Sequence, residues 1–562
     1  MSAVPTSTTA GGRDTGSGWP KGLLALTLLL AAAAPLAMYS ARTPGSNELD
    51  YLIYYRLLFF NDFTNSLAML AALVAALAIA PLRDAATRLA ALVSRHPGRT
   101  CVAAFVVLAV ASRTVYLAFP LSMDEYAPLL QARIFAQGDL AATYPRELLD
   151  RMVLPGFQGA FVLVNHETGQ AVSGYWPGLA LLMTPFAAIG MDWALNPLLG
   201  ALGLLVIGDL ARQATGHEDA RGWAMLAALA CPQYTVNAIS YYAMPGLLTL
   251  NLLYLWLLLR PGWKSAVLAG AVGSLALVMH NPAPHVLFAM PCVIWLLANR
   301  SRWTRLAPLI LGYVPLTALL CFGWPLLTAS MGLRPAAVAA TDAEFLASWL
   351  GKLRGIFELP GLEVLQIRSY AAWKALIWSA PGLLLSAFLI RQSGPAARIS
   401  LAALLLTFAF YMFFPLDQGH GWGHRYLHSA WGLLPLAAGA LAATGGPAGR
   451  RFVAAAVVAG MLATPTFMYT THRTVASSAD QMLPRPTEGR GIAFVSNQPG
   501  RYSSDLIRNY PEDSGKLITL ASYGDDSDQA LVEKLAPGAA LVVRDGRGTL
   551  WISSPANPVP ER

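Results

Sequence analysis

The stretch "TCVAAFVVLAVASRTVYLAFPLSMDEYAPLLQARIFAQGDL", residues 100–140, decides how the rest of the sequence is interpreted. Its first part, 100–119, is a predominantly apolar run of the length that a helix needs to cross a bilayer. Asp124 and Glu125 follow within a few residues, although only 12% of the chain is charged. Two carboxylates at the mouth of a membrane span are costly, so the pair predicts a specific structural or chemical role.

The composition of the whole chain indicates a polytopic membrane protein. Its 562 residues are 55% hydrophobic with a mean hydropathy of +0.48, which is too apolar for a soluble protein of this size. The net charge of +8 does not require a nucleic-acid partner, because membrane proteins concentrate Lys and Arg in cytoplasmic loops. We interpret the four cysteines, none in a CxxC pair, as buried hydrophobes without disulfides or metal: Cys101, Cys231, Cys292 and Cys321.

The charge pattern orients the predicted spans. Basic linkers such as 81–99 and 300–305 are assigned to the cytoplasm, and the tips rich in His, Tyr, Trp, Asp and Pro to the outer side. The polar tail 1–21 is predicted to be disordered and cytoplasmic, and the C-terminus to lie outside. About thirteen spans are predicted, roughly at 22–39, 62–81, 100–119, 194–211, 222–239, 246–259, 265–279, 286–299, 306–324, 373–390, 399–415, 427–445 and 452–470.

This pattern divides the chain into regions. Residues 22–97 form an extra N-terminal transmembrane hairpin ahead of a core at 98–470. Within the core, 120–193 and 325–372 are long outer loops. The apolar segment 176–190 is short and Pro-flanked, and we interpret it as an interfacial or re-entrant helix on the outer side. Counting it as a true span is the alternative, which would invert every basic loop after it.

The composition changes after residue 470, where a small α/β domain at 471–562 is predicted on the outer side. Three stretches are typical of strands and two of helices. The strands are "GIAFVSNQ" (491–498), "KLITLAS" (516–522) and "AALVVRDG" (539–546), and the helices are "SSDLIRNY" (503–510) and "SDQALVEKLA" (527–536).

The Asp124–Glu125 pair has two compatible interpretations. Ser122 and Glu125 have the spacing of a capping box, and "EYAPLLQARIFA" (125–136) reads as an amphipathic helix at the interface. Capping explains Glu125 better than Asp124, and an acid at the membrane surface can act as a general base. A capped helix would also fix the carboxylate that does the chemistry.

Histidines and tyrosines mark the other predicted outer tips. Each of them taken singly is explained by an ordinary interfacial role, but all face the same predicted side as Asp124, which favours polar contacts to a sugar or phosphate. The glycines around His420 and His424 favour a loop over a helix, so their spacing does not indicate a metal site, and no cofactor is predicted. The candidate substrate-binding residues are His166, Tyr241, Tyr242, His280, Asn281, His285 and His420.

Arg425 follows the glycine-rich loop at the outer end of a predicted span. A guanidinium there can bind a lipid phosphate through two parallel N–H donors, and interfacial snorkelling is the alternative. The further candidates for contacts to a donor phosphate are Tyr426, His424, Lys352 and Arg354.

Three of these stretches resemble the polytopic GT-C glycosyltransferases, which use lipid-linked sugar donors. That class includes the protein O-mannosyltransferases and the transferases that put aminoarabinose on lipid A. "SMDEYAPLLQARIFAQGDL" (122–140) resembles their first outer loop. "YWPGLALLMTPFAAIGMDWALNPLLGALGLLVIGDLARQATG" (175–216) resembles the segment that follows, with its aromatic-Pro start and small-residue helix, and "GHRYLHSAWGLLPL" (423–436) a late Arg-Tyr motif. The resemblance covers roughly 98–470 and implies a core of eleven spans.

The resemblance implies roles for individual residues. Asp124 would take a proton from the acceptor hydroxyl, Glu125 would orient the loop or contact substrate, and Arg425 with His424 would hold the donor phosphate. The reaction would invert the sugar in one step without a covalent enzyme intermediate. The stretch "HNPAPH" (280–285) departs from the Arg or Lys of many relatives, which leaves the donor sugar open.

The predicted function is transfer of a sugar from a polyprenyl-phosphate-linked donor to a glycan, lipid or protein on the outer face of the cytoplasmic membrane. A polysaccharide polymerase or ligase is an alternative, although such enzymes usually rely on Arg and His in a large outer loop. A lipid-sugar transporter or flippase would show charges at the bilayer midplane and repeated halves, which the sequence does not indicate. The expected partners are the donor, the acceptor and membrane lipids, without nucleic acid.

Overall fold

The computed structural model describes residues 21–40, 57, 61–333, 361–387, 394–413, 420–496, 503–513 and 515–553. Helices dominate these ranges. They are α1 Lys21–Ser40, α2 Asp62–Ala78, α3 Ala80–Arg95, α4 Pro97–Thr114, α5 Met123–Ala136, α6 Leu149–Met152, α7 Gly178–Ala187, α8 Leu195–Thr215, α9 Glu218–Leu229, α10 Pro232–Asn237, α11 Met244–Leu259, α12 Trp263–Leu277, α13 Ala283–Leu297, α14 Leu306–Leu316, α15 Trp324–Ser330, α16 Leu362–Trp378, α17 Pro381–Ser386, α18 Pro395–Met412, α19 Arg425–His428, α20 Leu433–Thr444, α21 Gly446–Ala479 and α22 Asp525–Leu535.

The strands of the described residues form three small sheets. They are β1 Ala142–Thr143, β2 Val162–Val164, β3 Gln170–Ser173, β4 His420–Gly421, β5 Gly423–His424, β6 Arg490–Val495, β7 Leu517–Ala521, β8 Ala540–Asp545 and β9 Gly548–Ser553. The first sheet has the order β1-β3-β2, and β4 and β5 form a hairpin. The last sheet has the order β7-β6-β9-β8, in which β6 and β7 run parallel and the other pairs antiparallel.

Several helices have the length and composition of membrane spans. In the described residues five are long and apolar enough to cross a membrane, or up to six if the bent pair α2–α3 forms one span. Ile310, Leu311 and Val314 lie largely exposed on α14, where lipid would suit them and water would not. The chain is therefore an integral membrane protein. Five further apolar helices have 10–17 residues, and the number of thirteen spans stays a prediction.

Two predicted spans are not continuous helices. The span predicted at 222–239 is divided into α9 and α10, because Pro232 lacks a backbone N–H and stands in the first turn of a new helix. The span predicted at 373–390 is interrupted at Ala380, whose φ of 54° is a left-handed conformation that ends a helix. Helices α2 and α3 meet at 92°, with Pro81 in the first turn of α3.

Helix α5 is more enclosed than the sequence predicted. An amphipathic helix at the interface was expected, but ten of the fourteen residues are buried. Gln131 donates to the carbonyl oxygen of Leu140 at 3.0 Å and accepts from the backbone N–H of Ser173 at 3.0 Å. The Tyr126 hydroxyl donates to the carbonyl oxygen of Asn509 at 3.1 Å. The helix is therefore not amphipathic as predicted, because distant segments cover it on more than one face, and its place at the membrane interface stays a prediction.

The apolar segment 176–190 forms the short helix α7. Its ten residues are about 15 Å long, half of the roughly 30 Å of hydrocarbon in a bilayer. Such a helix is too short to cross the membrane as a straight span. Its length agrees with an interfacial or re-entrant element.

The C-terminal region departs from the sequence reading in three places. Helix α21 continues to Ala479, well past the predicted end of the last span. Strand β9 was not predicted, whereas β6, β7, β8 and α22 lie at predicted positions. The predicted helix 503–510 is a 3-10 turn at Ser503–Leu506 followed by a buried, non-helical stretch at 507–510. This stretch packs against α5, where Asn509 and Tyr510 contact Tyr126.

Candidate active site

Asp124, the second residue of α5, is held by two side chains from distant parts of the chain. Nη1 of Arg425 lies 2.7 Å from Oδ2, and the Tyr175 hydroxyl donates to Oδ1. The Asp124 side chain is 12% exposed and that of Arg425 is 3% exposed. Residues 301 positions apart in sequence thus form a buried ion pair whose carboxylate keeps a small accessible surface.

Two glycines allow the β4–β5 hairpin to present Arg425. Gly423 turns the chain with a φ of 73°, and a Cβ atom there would lie 2.8 Å from the side chain of Gln233. A Cβ atom on Gly421 would lie 2.6 Å from Cδ of Arg425. The absence of side chains at these glycines therefore lets the aliphatic part of Arg425 pack closely against the hairpin.

Side chains of helix α10 hold this hairpin by donating hydrogen bonds to the backbone carbonyl oxygens of the hairpin. Nε2 of Gln233 donates to the carbonyl oxygen of His424 at 3.2 Å, and Nδ2 of Asn237 to that of Trp422 at 2.8 Å. The Trp422 indole N–H donates to the Tyr116 hydroxyl at 2.9 Å. These buried hydrogen bonds satisfy the backbone carbonyl groups of the tight hairpin and so hold Arg425 in place.

A close backbone contact brings Tyr175 beside His280. The backbone N–H of Gly178 donates to the carbonyl oxygen of Val278 at 2.8 Å, and a Cβ atom on this glycine would collide with the same oxygen. The rings of Tyr175 and His280 then lie 4.4 Å apart between centroids with a 35° tilt. His280, a predicted substrate-binding residue, therefore lies at the Asp124 site.

The surroundings of Asp124 favour its ionised form. Burial alone would raise its pKa, but the charge of Arg425, then His280 and the Tyr175 hydrogen bond, lower the pKa below the usual 3.8. Burial is the main cause that lowers the pKa of His280, so its imidazole is neutral near pH 7. Asp124 is consequently a carboxylate at neutral pH, able to accept a proton.

Glu125 is fully buried and makes hydrogen bonds to the elements around α5. Oε1 accepts from the Tyr116 hydroxyl and the Tyr241 backbone N–H, both at 2.8 Å, and Oε2 accepts from the Leu121 N–H at 2.6 Å. Burial raises the pKa of Glu125 to about 7 although these bonds oppose it. The contacts join α5 to two other parts of the chain, the segment that follows α4 and the turn before α11. A residue that orients the first outer loop would need contacts of this kind.

The predicted capping box is only half formed. Ser122 is the N-cap residue of α5, but its side chain makes no capping hydrogen bond. Its Oγ lies 3.1 Å from the hydroxyl of Tyr242, another predicted substrate-binding residue. Glu125 does reach back to the start of the helix, at Leu121. The reciprocal capping box is therefore wrong, because Tyr242 engages the serine hydroxyl.

A cluster of buried cations surrounds His424. Arg368 and Lys374 of α16 are 3% and 0% exposed. Burial is the largest cause that lowers the pKa of His424 to about 3, and the charges of Arg368, Lys374 and Arg425 lower it further. Arg425 is paired with Asp124 and Lys374 with Asp62, so the three cations exceed these two carboxylates by one positive charge, which favours an anion nearby. We call Arg368, Lys374, His424 and Arg425 the cationic cluster.

Tyr426 belongs to the same neighbourhood. Its ring stacks on Tyr411 of α18, with centroids 4.3 Å apart and planes at 14°. The guanidinium of Arg368 lies 5.8 Å from the Tyr426 centroid, and the His424 ring meets it edge-on at 5.9 Å. The predicted phosphate-contact residues Tyr426, His424 and Arg425 are therefore neighbours in space.

Other predicted residues lie elsewhere. His285 is buried between helices, with Nδ1 2.7 Å from Oδ1 of Asn251 and Nε2 2.6 Å from the Tyr313 hydroxyl. Both ring nitrogens are thus used in contacts between α13, α11 and α14. The structure does not bring His285 to Asp124.

His166 and Asn281 have local partners. The exposed His166 has Nε2 3.0 Å from Oε1 of Gln158. Oδ1 of Asn281 accepts from the backbone N–H of Ala283 at 3.1 Å, at the first residue of α13. These contacts leave the predicted substrate-binding role of both residues a prediction.

The remaining predicted residues are Tyr241, His420, Lys352 and Arg354. Tyr241 supports Glu125 through its backbone, and its hydroxyl donates to Asp192 at 2.9 Å. His420 is described only in its backbone, where it pairs with His424. Lys352 and Arg354 lie outside the described residues.

Two residues that contact this region were missed by the sequence reasoning. Tyr175 lies in an aromatic-Pro stretch, 51 positions from Asp124, and no spacing rule connects the two. Arg508 donates from Nη2 to the carbonyl oxygen of Pro120, four positions before Asp124, at 2.5 Å. No local signal in the C-terminal region indicates this contact.

The fold and the site define a class: an integral membrane protein in which a partly accessible carboxylate lies beside a buried cationic cluster. The carboxylate can accept a proton, and the cluster can attract an anion. Among the residues that the structure describes, no group of three or more His, Cys, Asp or Glu side chains could hold a metal ion.

Comparison with known proteins gives two similar solved structures. One is ArnT from Cupriavidus metallidurans in the apo state, with 16% identity, coverage of 80% of this chain and 97% of that chain, and a TM-score of 0.47. The other is ArnT from the same organism bound to undecaprenyl phosphate, with 15% identity, the same coverage and a TM-score of 0.47. No family model and no curated protein match the chain. At this identity and TM-score the likeness does not extend to residue roles or substrates.

Proposed function

We propose that the protein transfers a sugar from a polyprenyl-phosphate-linked donor to an acceptor hydroxyl at the outer face of the cytoplasmic membrane. The observation that carries this proposal is the ionised, partly accessible Asp124 held 2.7 Å from Arg425. A base and a group of cations side by side suit a reaction that removes a proton and releases a phosphate. The acceptor is a glycan, a lipid or a protein.

Asp124 is the proposed general base. Its carboxylate takes the proton of the acceptor hydroxyl, whose oxygen forms a bond to the anomeric carbon of the sugar. The bond from that carbon to the phosphate oxygen breaks, and the polyprenyl phosphate leaves with the electron pair. Attack opposite to the leaving group inverts the anomeric configuration in one step, and no covalent enzyme intermediate forms.

The cationic cluster is the proposed binding site of the donor phosphate. Negative charge grows on the phosphate oxygens as the sugar bond breaks, and buried cations stabilise that charge without reorganising. Arg425, from the hairpin after α18, and Arg368, from α16, are the proposed phosphate contacts, whereas the enclosed Lys374 is paired with Asp62 and adds only to the field at His424. Tyr426 and His424 are proposed to line the site around the donor phosphate and its lipid chain.

The proposed topology follows from charge. We propose thirteen spans with a cytoplasmic N-terminus, an extra hairpin at 22–97, a core at 98–470 and an outer domain at 471–562. The hydrogen bond of Asn509 to the Tyr126 hydroxyl of α5 supports one side of the membrane for the first outer loop and the C-terminal region. Asp192 and Ser429 are buried, so cysteine accessibility is measured at the exposed positions Met191 and Arg450. The map predicts labelling of Met191→Cys from outside and of Arg450→Cys from the cytoplasm, and the reverse would contradict it.

Transfer by purified protein in lipid tests the function directly. Wild type and Asp124→Asn are offered a panel of polyprenyl-phosphate pentoses and hexoses with membrane-extract acceptors. We expect the variant to lose at least about a hundredfold in turnover, because an amide cannot accept the proton. Asn keeps one acceptor oxygen but leaves the buried Arg425 without its carboxylate, so thermal unfolding is measured beside turnover to show that the variant is folded.

Asp192→Asn is the matched control. Asp192 is also a buried acid of the first outer loop, paired with Arg133 at 2.9 Å and apart from Arg425. We expect this variant to melt at a lower temperature but to keep its turnover within a few-fold. Equal transfer by wild type and Asp124→Asn would show that Asp124 is only structural. Movement of labelled lipid across the bilayer without any transfer would favour a transporter.

A further inference from the structure

A basic surface lies at the end of the membrane helices that is remote from Asp124. Helix α11 begins two residues after Tyr242, whose hydroxyl lies 3.1 Å from Oγ of Ser122, and its 16 residues are about 24 Å long. The chain segments that follow α11 and α13 meet at its far end, where Nη1 of Arg305 donates to the carbonyl oxygen of Leu258 at 2.5 Å. This surface is therefore separated from the proposed active site by a distance close to the roughly 30 Å of hydrocarbon in a bilayer.

The surface is rich in cations and poor in acids. Residues 220–341 contain no Asp or Glu. Within the part of the chain that the structure describes, no carboxylate forms an ion pair with the five cations of the surface, which are Arg260, Lys264, Arg300, Arg302 and Arg305. In contrast, Arg212 and Arg221, at the adjoining ends of α8 and α9, pair with Asp209 and Glu218. The surface therefore has an excess of positive charge, which attracts anions.

Two of these arginines line a groove. Arg302 and Arg305 enclose about 480 Å³ together with Trp263, Trp295 and neighbouring residues. Among the described residues, Arg302 donates one hydrogen bond, from Nη1 to the carbonyl oxygen of Trp295 at 2.8 Å. Arg305 donates two, one of them from Nη2 to Oγ of Ser265 at 3.3 Å. A guanidinium has more N–H donors than these hydrogen bonds use, so both arginines can also donate to a phosphate in the groove.

Apolar and aromatic side chains continue from the groove along the outside of the helices. Leu297, the last residue of α13, and Ile310, in the second turn of α14, are at least half exposed. Trp263 and Trp303 are also exposed, and tryptophan is enriched where lipid headgroups meet the hydrocarbon. Cations, tryptophans and apolar surface thus follow one another in the order of the headgroup, the interface and the acyl chains of a lipid.

We propose that this groove binds the phosphate headgroup of an anionic phospholipid, in the leaflet opposite the proposed active site. Arg302 and Arg305 are the phosphate contacts, and the cations at the rim attract the headgroup, namely Arg260, Lys264 and Arg300. A zwitterionic lipid carries the same phosphate, but its ammonium group cancels the net charge that these cations attract. This second lipid site does not depend on sugar transfer.

Native mass spectrometry of the full-length protein counts the lipids that stay bound. Phosphatidylglycerol, phosphatidylcholine and undecaprenyl phosphate are offered separately. We expect wild type to bind phosphatidylglycerol about tenfold more tightly than phosphatidylcholine, and Arg302→Gln/Arg305→Gln to lose this preference, because each basic residue at the membrane surface adds to the attraction. Arg212→Gln/Arg221→Gln is the matched control, since it removes two cations that are paired with acids. Its preference should stay within about twofold of wild type.

A second variant decides the matter if the first one does not fold. Lys264 and Arg300 are exposed and donate no side-chain hydrogen bond among the described residues, so Lys264→Gln/Arg300→Gln should keep the fold and weaken phosphatidylglycerol binding about threefold. Wild-type binding of phosphatidylglycerol in both double variants, or the same loss in the control, would overturn the site. Equal binding of phosphatidylcholine would overturn the recognition of charge. Tighter binding of undecaprenyl phosphate would assign the groove to a polyprenyl lipid, and displacement of the lipid by inorganic phosphate would show that a free anion suffices. Either result would contradict the phospholipid as the ligand.

Discussion

The ion pairs Asp124–Arg425 and Asp62–Lys374 have the same N–O distance of 2.7 Å but differ in enclosure. Both side chains of the second pair are 0% exposed, whereas Asp124 keeps 12%. Oδ1 of Asp62 also accepts from the Trp378 indole at 2.7 Å, which joins α2 to α16. A fully enclosed pair holds helices together, whereas an acid whose side chain is partly exposed lies closer to where a substrate could bind. The difference agrees with the chemical role proposed for Asp124 and predicts a structural role for Asp62.

Each pair contributes one cation to the cationic cluster, Arg425 from the first pair and Lys374 from the second. The charge of Lys374 also lowers the pKa of His424, the neighbour of Arg425. Asp62 offsets part of the positive charge there. The helices ahead of the core therefore contribute a carboxylate to the surroundings of the proposed phosphate site.

Removing the enclosed acid has the largest expected effect. In Asp62→Ala the ammonium of Lys374 stays buried without this carboxylate, and we expect a loss of about 3–5 kcal/mol in the free energy of unfolding. Thermal unfolding in lipid measures the change. The double variant Asp62→Ala/Lys374→Met should recover most of the loss, since both charges are gone. A single variant that melts like wild type would contradict the structural role of the pair.

The accessible pair is tested by its pH dependence. Arg425 is the main group that holds the pKa of Asp124 below 3.8, so in Arg425→Gln burial should raise that pKa. The proposed base works only when ionised, and activity is lost as pH falls through its pKa. We therefore expect the acid limb of the kcat/KM profile to move to higher pH, with a loss of about a hundredfold at neutral pH.

Arg133→Gln is the control for this profile. Arg133 also pairs with a buried acid of the first outer loop, Asp192, at 2.9 Å, but it has no contact with Asp124 among the described interactions. Its acid limb should stay where wild type has it. An unmoved acid limb in Arg425→Gln would contradict the assignment of Asp124 as the titrating base.

The smallest expected effect concerns the hydrogen bond that Asp124 accepts. Tyr175→Phe keeps the ring against His280 but removes the donor, and we expect kcat to fall about fivefold with a slight rise in the Asp124 pKa. Steady-state kinetics over pH measures both. Tyr254→Phe, at a buried tyrosine beside Tyr313, should stay within about twofold of wild type. A larger effect at Tyr254 than at Tyr175 would mean that general packing controls the rate.

Some of this arrangement follows from the sequence. Apolar runs predict membrane helices from the energetics of burial alone, and charge bias places Asp124 and Arg425 on the same predicted side. The structure places these two side chains in contact, and their catalytic roles stay predictions. Gly421 and Gly423 predicted a loop correctly. The close packing of the Arg425 side chain against Gly421 is visible only in the three-dimensional structure.

Other features depend on contacts between distant segments. Ser122 has the residue type and position of a capping serine, yet its hydroxyl lies 3.1 Å from that of Tyr242 and makes no capping hydrogen bond. Local spacing cannot rank a partner that lies 120 positions away. The enclosure of α5 has the same cause, because its covering residues come from both later loops and the C-terminal sheet.

Helix α21 has a mechanical consequence. Its 34 residues, with Pro465 inside, have a helical path of about 51 Å, roughly 20 Å more than the hydrocarbon thickness of a bilayer. The helix ends only ten residues before β6, so the C-terminal sheet has a short tether to the membrane helices. A short tether gives the segment 507–510 a high effective concentration at α5, and part of the entropy of bringing the two together is lost when the helix folds.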